Sequence, residues 1–337
     1  MAAGKPLRIG ILGAAKIARA FTKAVAGAET LTITAVASRD AANAAAYAKE
    51  EGIPRSFGSY EALIADKEID GIYNPLPNNM HAEWSIKAVD AGKHVLCEKP
   101  LAVSGAEARS MFDAAKRNKV HLVEGYPYMS QPQTLKVREL LRAGEIGKVK
   151  LIRSCFGVPF SDATNIRLKP DLAGGALMDA GSYAVSFALL AAGECPSRVH
   201  AVARWADTGV DNILAGTLEF PSGIIAQVSA SFAACYHRDA LIAGEKGTIE
   251  TAYLNHPPIG GPASIKVRRG GYAFDPIETI ELSDGNGFLA EALSFARMVK
   301  DGVQHWNGAS PDLSINIAMT LEALLRAARS GKPETVG

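Results

Sequence analysis

The chain has 337 residues, of which 48% are hydrophobic and 21% charged, with a formal net charge of +1. This length excludes a small stapled fold and suits one large or two medium domains, each able to bury its own core. A near-zero charge without a long basic run argues against nucleic acid as a partner.

Leu7-Arg8-Ile9-Gly10-Ile11-Leu12-Gly13 reads as a strand running into a glycine, and Ala14-Ala15-Lys16-Ile17-Ala18 opens a helix. Aligned on that context, the glycine fingerprint becomes Gly13-x-Ala15-x-x-Ala18. Gly13 supplies the tight turn, Ala15 lets a phosphate come near, and Ala18 permits close helix–strand packing. The helix start at Lys16 and Ile17 offers free amides to a pyrophosphate. The next strand, Leu31–Ala37, ends in Ser38-Arg39-Asp40, where the fingerprint expects an acid that reads the ribose. A hydroxyl and a guanidinium stand there instead. Arg39 suits a 2′-phosphate, which favours NADP over NAD. Asp40 reads as the cap of the Ala-rich helix that follows.

The alternation continues with a helix over 41–51, a strand over 55–57, a helix over 60–65 capped by Ser59 and a strand over 69–73. Asn74-Pro75-Leu76-Pro77-Asn78-Asn79 is a rigid polar turn, and residues 81–91 form a helix stopped by Gly92. Asn78 and His81 are expected to face the same region, in a loop beside the cofactor, and His81 also reads as simply the first-turn residue of its helix. Residues 94–97 form a buried strand that ends abruptly in Glu98-Lys99-Pro100. Open α/β sheets bind ligands outside such carboxyl ends. A helix over 104–119 and a strand over 120–124 complete a series of βα units, hence a doubly wound, mostly parallel sheet.

After Glu124 the pattern changes. A helix over 133–142, long alternating strands over 148–158, 197–206, 212–220 and 223–233, and shorter ones over 239–244, 247–252, 264–269 and 278–282 predict a large antiparallel or mixed sheet. Pro221-Ser222-Gly223 marks a hairpin. Residues 161–170 are polar and irregular, and a very apolar helix runs to Ala192. Helices over 288–300 and 313–328 close the chain. The expected architecture is α/β: an N-terminal Rossmann domain, residues 1–125, and a C-terminal α+β domain, residues 126–337. The second carries an open, mostly antiparallel sheet for substrate binding and oligomerisation, with the last helices free to pack back on the first domain. Cys97, Cys155, Cys195 and Cys235 are far apart with no C-x-x-C pair, which predicts reduced thiols and no metal site. No secretory segment precedes the first strand and no uninterrupted apolar stretch is long enough for a bilayer, so a cytoplasmic protein without a membrane partner is expected.

Asp179 and Tyr183 lie four apart, on one face of a helix, just after Gly174-Gly175, where backbone can approach a ligand closely. Hydride transfer between a nicotinamide and a carbon–oxygen centre needs an aimed C–H and a group that moves the hydroxyl proton. Tyr183 suits that acid/base work if an ammonium favours its phenolate, and Lys99 is the ammonium at hand. Asp179 suits orienting Lys99 or a substrate hydroxyl.

With these residues the chain resembles the glucose-fructose oxidoreductase / inositol dehydrogenase / rhizopine-catabolism oxidoreductase family over nearly its whole length. The resemblance lies in the fingerprint from Gly10 to Ala18, in Asn74-Pro75-Leu76-Pro77-Asn78-Asn79-Met80-His81, in Glu98-Lys99-Pro100, and in the run from Gly174 to Tyr183. It implies a two-domain, nicotinamide-dependent enzyme acting on sugars, polyols or related carbonyl compounds. It also implies Lys99 beside nicotinamide and substrate before a cis peptide at Pro100, and Asp179 in substrate binding. Cofactor contacts are expected from Gly13, Ala15, Lys16, Ile17, Ser38, Arg39, Pro75, Leu76, Asn78, His81, Glu98, Lys99 and Arg167. Tyrosine rather than histidine at position 183, together with Ser38-Arg39, is the pattern of the branch with dimeric dihydrodiol dehydrogenase and NADP-dependent xylose dehydrogenase. The segment from Glu124 to Gln133 departs from that branch, with Met129 in its arginine place and Gln131 in its histidine place. Tyr126 and Tyr128 suit stacking on a sugar ring or packing. The resemblance implies a homodimer or homotetramer. Two other readings keep the nucleotide: a sugar-modifying enzyme with transient oxidation and no net redox change, and a non-catalytic NADP-binding sensor.

Overall fold

The computed structural model describes residues 5–160, 162, 164–256, 262–283 and 285–337. Short apolar runs and the amphipathic runs between them alternate as β1 (Leu7–Leu12), α1 (Lys16–Ala24), β2 (Leu31–Ala37), α2 (Ala41–Glu51), β3 (Arg55–Phe57) and α3 (Tyr60–Ala65). They continue as β4 (Gly71–Asn74), α4 (His81–Asp90), β5 (His94–Glu98), α5 (Gly105–Asn118) and β6 (Leu122–Gly125). Caps set the boundaries. Asp40 Oδ1 accepts from the backbone N–H of Ala42 at 2.8 Å and of Asn43 at 3.2 Å, and Ser59 Oγ accepts from Ala62 N–H at 3.1 Å. The six strands are parallel, in the order β3-β2-β1-β4-β5-β6. The order reverses between β1 and β4, the switch point at which doubly wound sheets bind ligands.

The chain then forms α6 (Pro132–Arg142), β7 (Val149–Gly157), α7 (Ser182–Ala192), β8 (Arg198–Trp205), β9 (Asp211–Glu219), β10 (Ile225–Ser231) and β11 (His237–Gly244). It ends with β12 (Gly247–Thr251), β13 (Ser264–Arg269), β14 (Ile277–Glu281), α8 (Gly287–Asp301), α9 (Pro311–Ser330) and β15 (Glu334–Thr335). The strands build one sheet in the order β14-β13-β12-β11-β7-β10-β9-β8-β15. Its pairs are antiparallel except β7 with β10. Ser161 and Ala163, in the irregular stretch before α7, lie outside the described residues.

Two units result. The first is Met1–Ala102, Ala106–Ser130 and Asn286–Pro311, and the second is Val103–Gly105, Gln131–Gly285 and Asp312–Gly337. Helix α8 belongs to the first unit because its apolar side, Phe288, Ala292, Phe295 and Met298, joins the core of Ile9, Ile11, Phe21 and Tyr73. In the second unit the strands alternate as their sequences do. Leu214 and Leu218 of β9 are buried, while Ile213 and Ala215 face outward. The stretch Pro170–Ala192 is long and apolar enough to cross a membrane, contrary to the expectation from sequence, yet 83% of its apolar window is buried inside the protein. Its buried part is the π turn and α7, and the hydropathy there reflects packing on all sides. The four cysteines are free thiols.

Candidate active site

The first unit brings most of the expected cofactor residues to the carboxyl ends of its strands. Gly13 follows β1 with φ +90°, a conformation that glycine adopts without strain, and a Cβ there would stand 3.0 Å from Leu76 Cδ2. Ala15 is the N-cap of α1 and supplies no side-chain cap, so the first amides of that helix, at Lys16 and Ile17, are not capped from the sequence itself. At the end of β2, Ser38 is buried and its hydroxyl accepts from Asp40 N–H at 3.3 Å. The neighbouring Arg39 is exposed, and its charge partly offsets the upward push that burial gives the Tyr60 phenol. No carboxylate takes the ribose-reading place, because Asp40 is spent on capping α2. These features fit a dinucleotide with a 2′-phosphate: a glycine turn, an uncapped helix start and a surface guanidinium.

The turns after β4 and β5 are tied together. His81 is 1% exposed, with Nδ1 2.8 Å from Pro100 O and Nε2 2.7 Å from Leu76 O. Both ring nitrogens stand at hydrogen-bond distance from carbonyls, one of which the neutral ring's single N–H serves, so the ring is a strut between the Pro75-Leu76 and Lys99–Pro100 turns, in keeping with the reading of His81 as a first-turn residue of its helix. Burial pushes its imidazole down to about 4. Asn78 opens a single 3-10 turn before α4. The Lys99–Pro100 peptide is cis, and Lys99 is half-buried. The Glu98 side chain turns into the core, where its Oε1 accepts from the Tyr73 hydroxyl at 2.6 Å. Tyr126 and Tyr128 are each 0% exposed and meet edge to face, 5.9 Å apart. This burial agrees with the packing reading of the two rings rather than the stacking one.

In the second unit, Asp179 lies in one wide π-helical turn, Leu177–Gly181, that leads into α7. Such turns recur at functional sites. Asp179 Oδ2 accepts from Arg167 Nε at 2.6 Å, and the Arg167 guanidinium lies over Phe160 at 4.9 Å. Arg167, expected near cofactor or substrate, is therefore the partner of Asp179. The glycine pair before this turn lets the chain's own groups approach closely. A Cβ at Gly174 would run into the carbonyl of Arg167, and one at Gly175, where φ is +123°, would run into Asp211 Oδ1. Asp211 is 1% exposed, and its Oδ2 accepts from Leu177 N–H at 2.6 Å. It caps the turn from a different strand. Burial pushes its carboxyl up to about 7, against the hydrogen bonds from backbone N–H groups.

Tyr183 is 7% exposed. Its hydroxyl oxygen accepts from Asn255 Nδ2 at 3.0 Å, its ring meets Phe156 edge to face at 5.5 Å, and the Arg238 guanidinium stands 4.4 Å from the ring centroid. A phenol so placed is held in orientation and sits near a positive charge, the setting for proton exchange.

Residues 7–126 match the family described as an oxidoreductase family with an NAD-binding Rossmann fold, and residues 134–250 match the GFO/IDH/MocA C-terminal domain. The chain belongs to the GFO/IDH/MocA oxidoreductase family. It is 37% identical to D-xylose 1-dehydrogenase (NADP(+)) 2 of Haloferax volcanii, over 96% of this chain and 98% of that one. It is 38% identical to trans-1,2-dihydrobenzene-1,2-diol dehydrogenase of Danio rerio, over 72% of this chain and 74% of that one. Among solved structures, a 3-ketoreductase of Actinomadura kijaniata in complex with NADP and TDP-benzene superposes with a TM-score of 0.86 at 28% identity, covering 96% of this chain and 98% of that one. These relatives are dehydrogenases and reductases, and the present chain is an oxidoreductase of the same family.

Within this GFO/IDH/MocA chain, sequence reasoning missed Asp211, Arg238 and Asn255. Arg238 carried a signal: it has the parity of Ala240 and Ile242, the buried side of β11, so an arginine occupies an apolar position. Gln131, singled out as a departure, is 5% exposed and donates from Nε2 to Asn255 O and to Gly285 O, both at 2.7 Å. It fastens the segment that reaches Tyr183.

Proposed function

We propose that the chain is an NADP-dependent enzyme that moves a hydride between the nicotinamide and a hydroxyl or carbonyl carbon of a sugar, polyol or related small molecule. The relatives support the substrate class: their names are those of a xylose dehydrogenase, a dihydrodiol dehydrogenase and a ketoreductase. Gly13 and the start of α1 would hold the pyrophosphate, and Arg39 the 2′-phosphate. The bound nicotinamide supplies the hydride acceptor or donor. Tyr183 Oη takes the hydroxyl proton during oxidation and returns it to the carbonyl oxygen during reduction. Lys99 supplies an ammonium that assists this proton transfer, and Asp179, steadied by Arg167, holds a substrate hydroxyl.

The observation that carries this reading is the environment of the Tyr183 hydroxyl: nearly buried, oriented by an amide donor, and one turn beyond Asp179. Tyr183→Phe keeps the ring and removes the acid/base. It is expected to lower kcat by about 10²- to 10⁴-fold while NADP affinity, measured by fluorescence titration, is retained. Full turnover by the Phe variant with any substrate of an aldose and polyol panel would remove Tyr183 from this role. We propose further that the outward face of the nine-stranded sheet pairs with a second copy, giving a dimer or tetramer.

A further inference from the structure

Beyond the proton-moving phenol, the second unit contains a buried polar group with no role so far. Arg238 is 8% exposed and lies among three aromatic rings, Phe156, Tyr183 and Tyr253, at 4.7, 4.4 and 4.7 Å from their centroids. It faces Phe156 directly across the β11–β7 ladder. One of its nitrogens donates to Tyr253 O at 2.7 Å and to Asn255 Oδ1 at 3.2 Å. The same Asn255 turns its Nδ2 to the Tyr183 hydroxyl. The segment itself is fastened at three points: by Gln131 at Asn255 O, by Gln133 Oε1 at Leu254 N–H (3.1 Å), and by Arg238 at Tyr253 O. A buried guanidinium is costly to hold, and a core serving packing alone would fill this place with an apolar side chain.

We propose that Arg238 and Asn255 are positioning residues that set the ionisation of Tyr183. The guanidinium lies against the phenol ring, and its hydrogen bond turns the Asn255 amide so that the N–H₂ side, not the carbonyl, meets Oη. A cation nearby and a donor on the oxygen both stabilise the phenoxide over the phenol. The inference rests on the reading of Tyr183 as acid/base.

Lys99, as the ammonium of the proposed function, would act on the phenol alongside Arg238; the other ionisable groups described near it in the second unit are engaged as follows. Tyr253 is held in its neutral form by burial, and burial together with Arg238 holds His256 below the ordinary imidazole value. Asp239, next to Arg238 in β11, turns to the opposite face and accepts from Cys155 Sγ at 3.0 Å. Tyr236 meets Phe156. Asp179, on the preceding turn, is paired with Arg167.

The experiment compares the wild type with Arg238→Met, Arg238→Lys, Asn255→Ala and Tyr183→Phe. It uses the pH profile of kcat/KM for substrate oxidation and, without substrate, ultraviolet titration of tyrosinate referred to the Tyr183→Phe protein. Arg238→Met and Asn255→Ala are expected to move the rising alkaline limb, and the Tyr183 titration with it, upward by about one pH unit or more. Arg238→Lys, which keeps the charge, is expected to restore most of that shift. A folded Arg238→Met or Asn255→Ala protein whose limb and titration coincide with those of the wild type overturns the proposal. If Arg238→Met does not fold, Asn255→Ala and Arg238→Lys decide by the same readouts. Full activity of Tyr183→Phe would defeat the acid/base reading, while the tyrosinate titration would still report whether Arg238 and Asn255 act on the phenol.

Discussion

Arg39 is the residue proposed to read the cofactor's 2′-phosphate. It sits on the surface at the end of β2, where the chain offers no carboxylate, and its planar donors match a 2′-phosphate. Arg39→Ala is expected to raise the KM for NADP by about ten- to a hundredfold and to leave that for NAD nearly unchanged, the loss of one charge-assisted contact. Steady-state kinetics with both cofactors tests this, and an unchanged KM for NADP would remove Arg39 from the site. Its position at the tip of β2 was legible because that context is local: a strand, a tip, and a helix capped by the next residue. For His81, Tyr126 and Tyr128 the sequence left a ligand-facing and a packing reading open, and their burial agrees with packing. A motif position shows which loop a residue belongs to, but not whether its side chain turns outward or, as with these three, into the core.

At the scale of elements, the informative case is the turn that carries Asp179. The sequence shows a glycine pair and an apolar helix, and it predicts a regular first turn. The chain instead forms one π-helical turn whose start is capped by Asp211 from β9. The glycines are required by that carboxylate and by the Arg167 carbonyl, contacts that no local spacing reveals. The cap has a pH signature. The Asp211 carboxyl is raised to about 7 in the folded chain, from about 3.9 when unfolded, so the folded state binds the extra proton between those values. Its contribution to stability is therefore full below about pH 4 and is lost as pH rises to about 7, on the order of a few kcal/mol. Asp211→Asn keeps an acceptor for Leu177 N–H and removes the titration. The wild type is expected to lose melting temperature between mildly acidic and mildly alkaline buffer, and the Asn protein to lose distinctly less. Parallel curves for the two proteins would show that the Asp211 carboxyl is not raised in the folded chain as stated.

For the whole molecule, the outward face of the nine-stranded sheet is an open surface that carries exposed apolar side chains. Along it lie Arg153, Cys155, His200, Val202, Thr217 and Gln227, around a shallow trough of about 780 Å³. Val202 is 72% exposed in the middle of β8, an apolar side chain that a second copy of the sheet would cover. Light scattering is expected to give a dimer or tetramer, and Val202→Asp to shift the mass toward the monomer; a monomeric wild type at working concentration would refute the pairing. The amino-acid sequence alone determined the alternation of strands and helices, the fingerprint, the change of organisation after Glu124, and the candidacy of Lys99, Asp179 and Tyr183. All of these follow from periodicity and from residues close together in the chain. Tertiary structure decided what depends on contacts between distant segments. Helix α8 returns to the first core, Asp211 caps a turn more than thirty residues before it, and Gln131 fastens Asn255. Arg238 came to lie over the phenol because ladder register sets it opposite Phe156, and register is a property of paired strands rather than of either one.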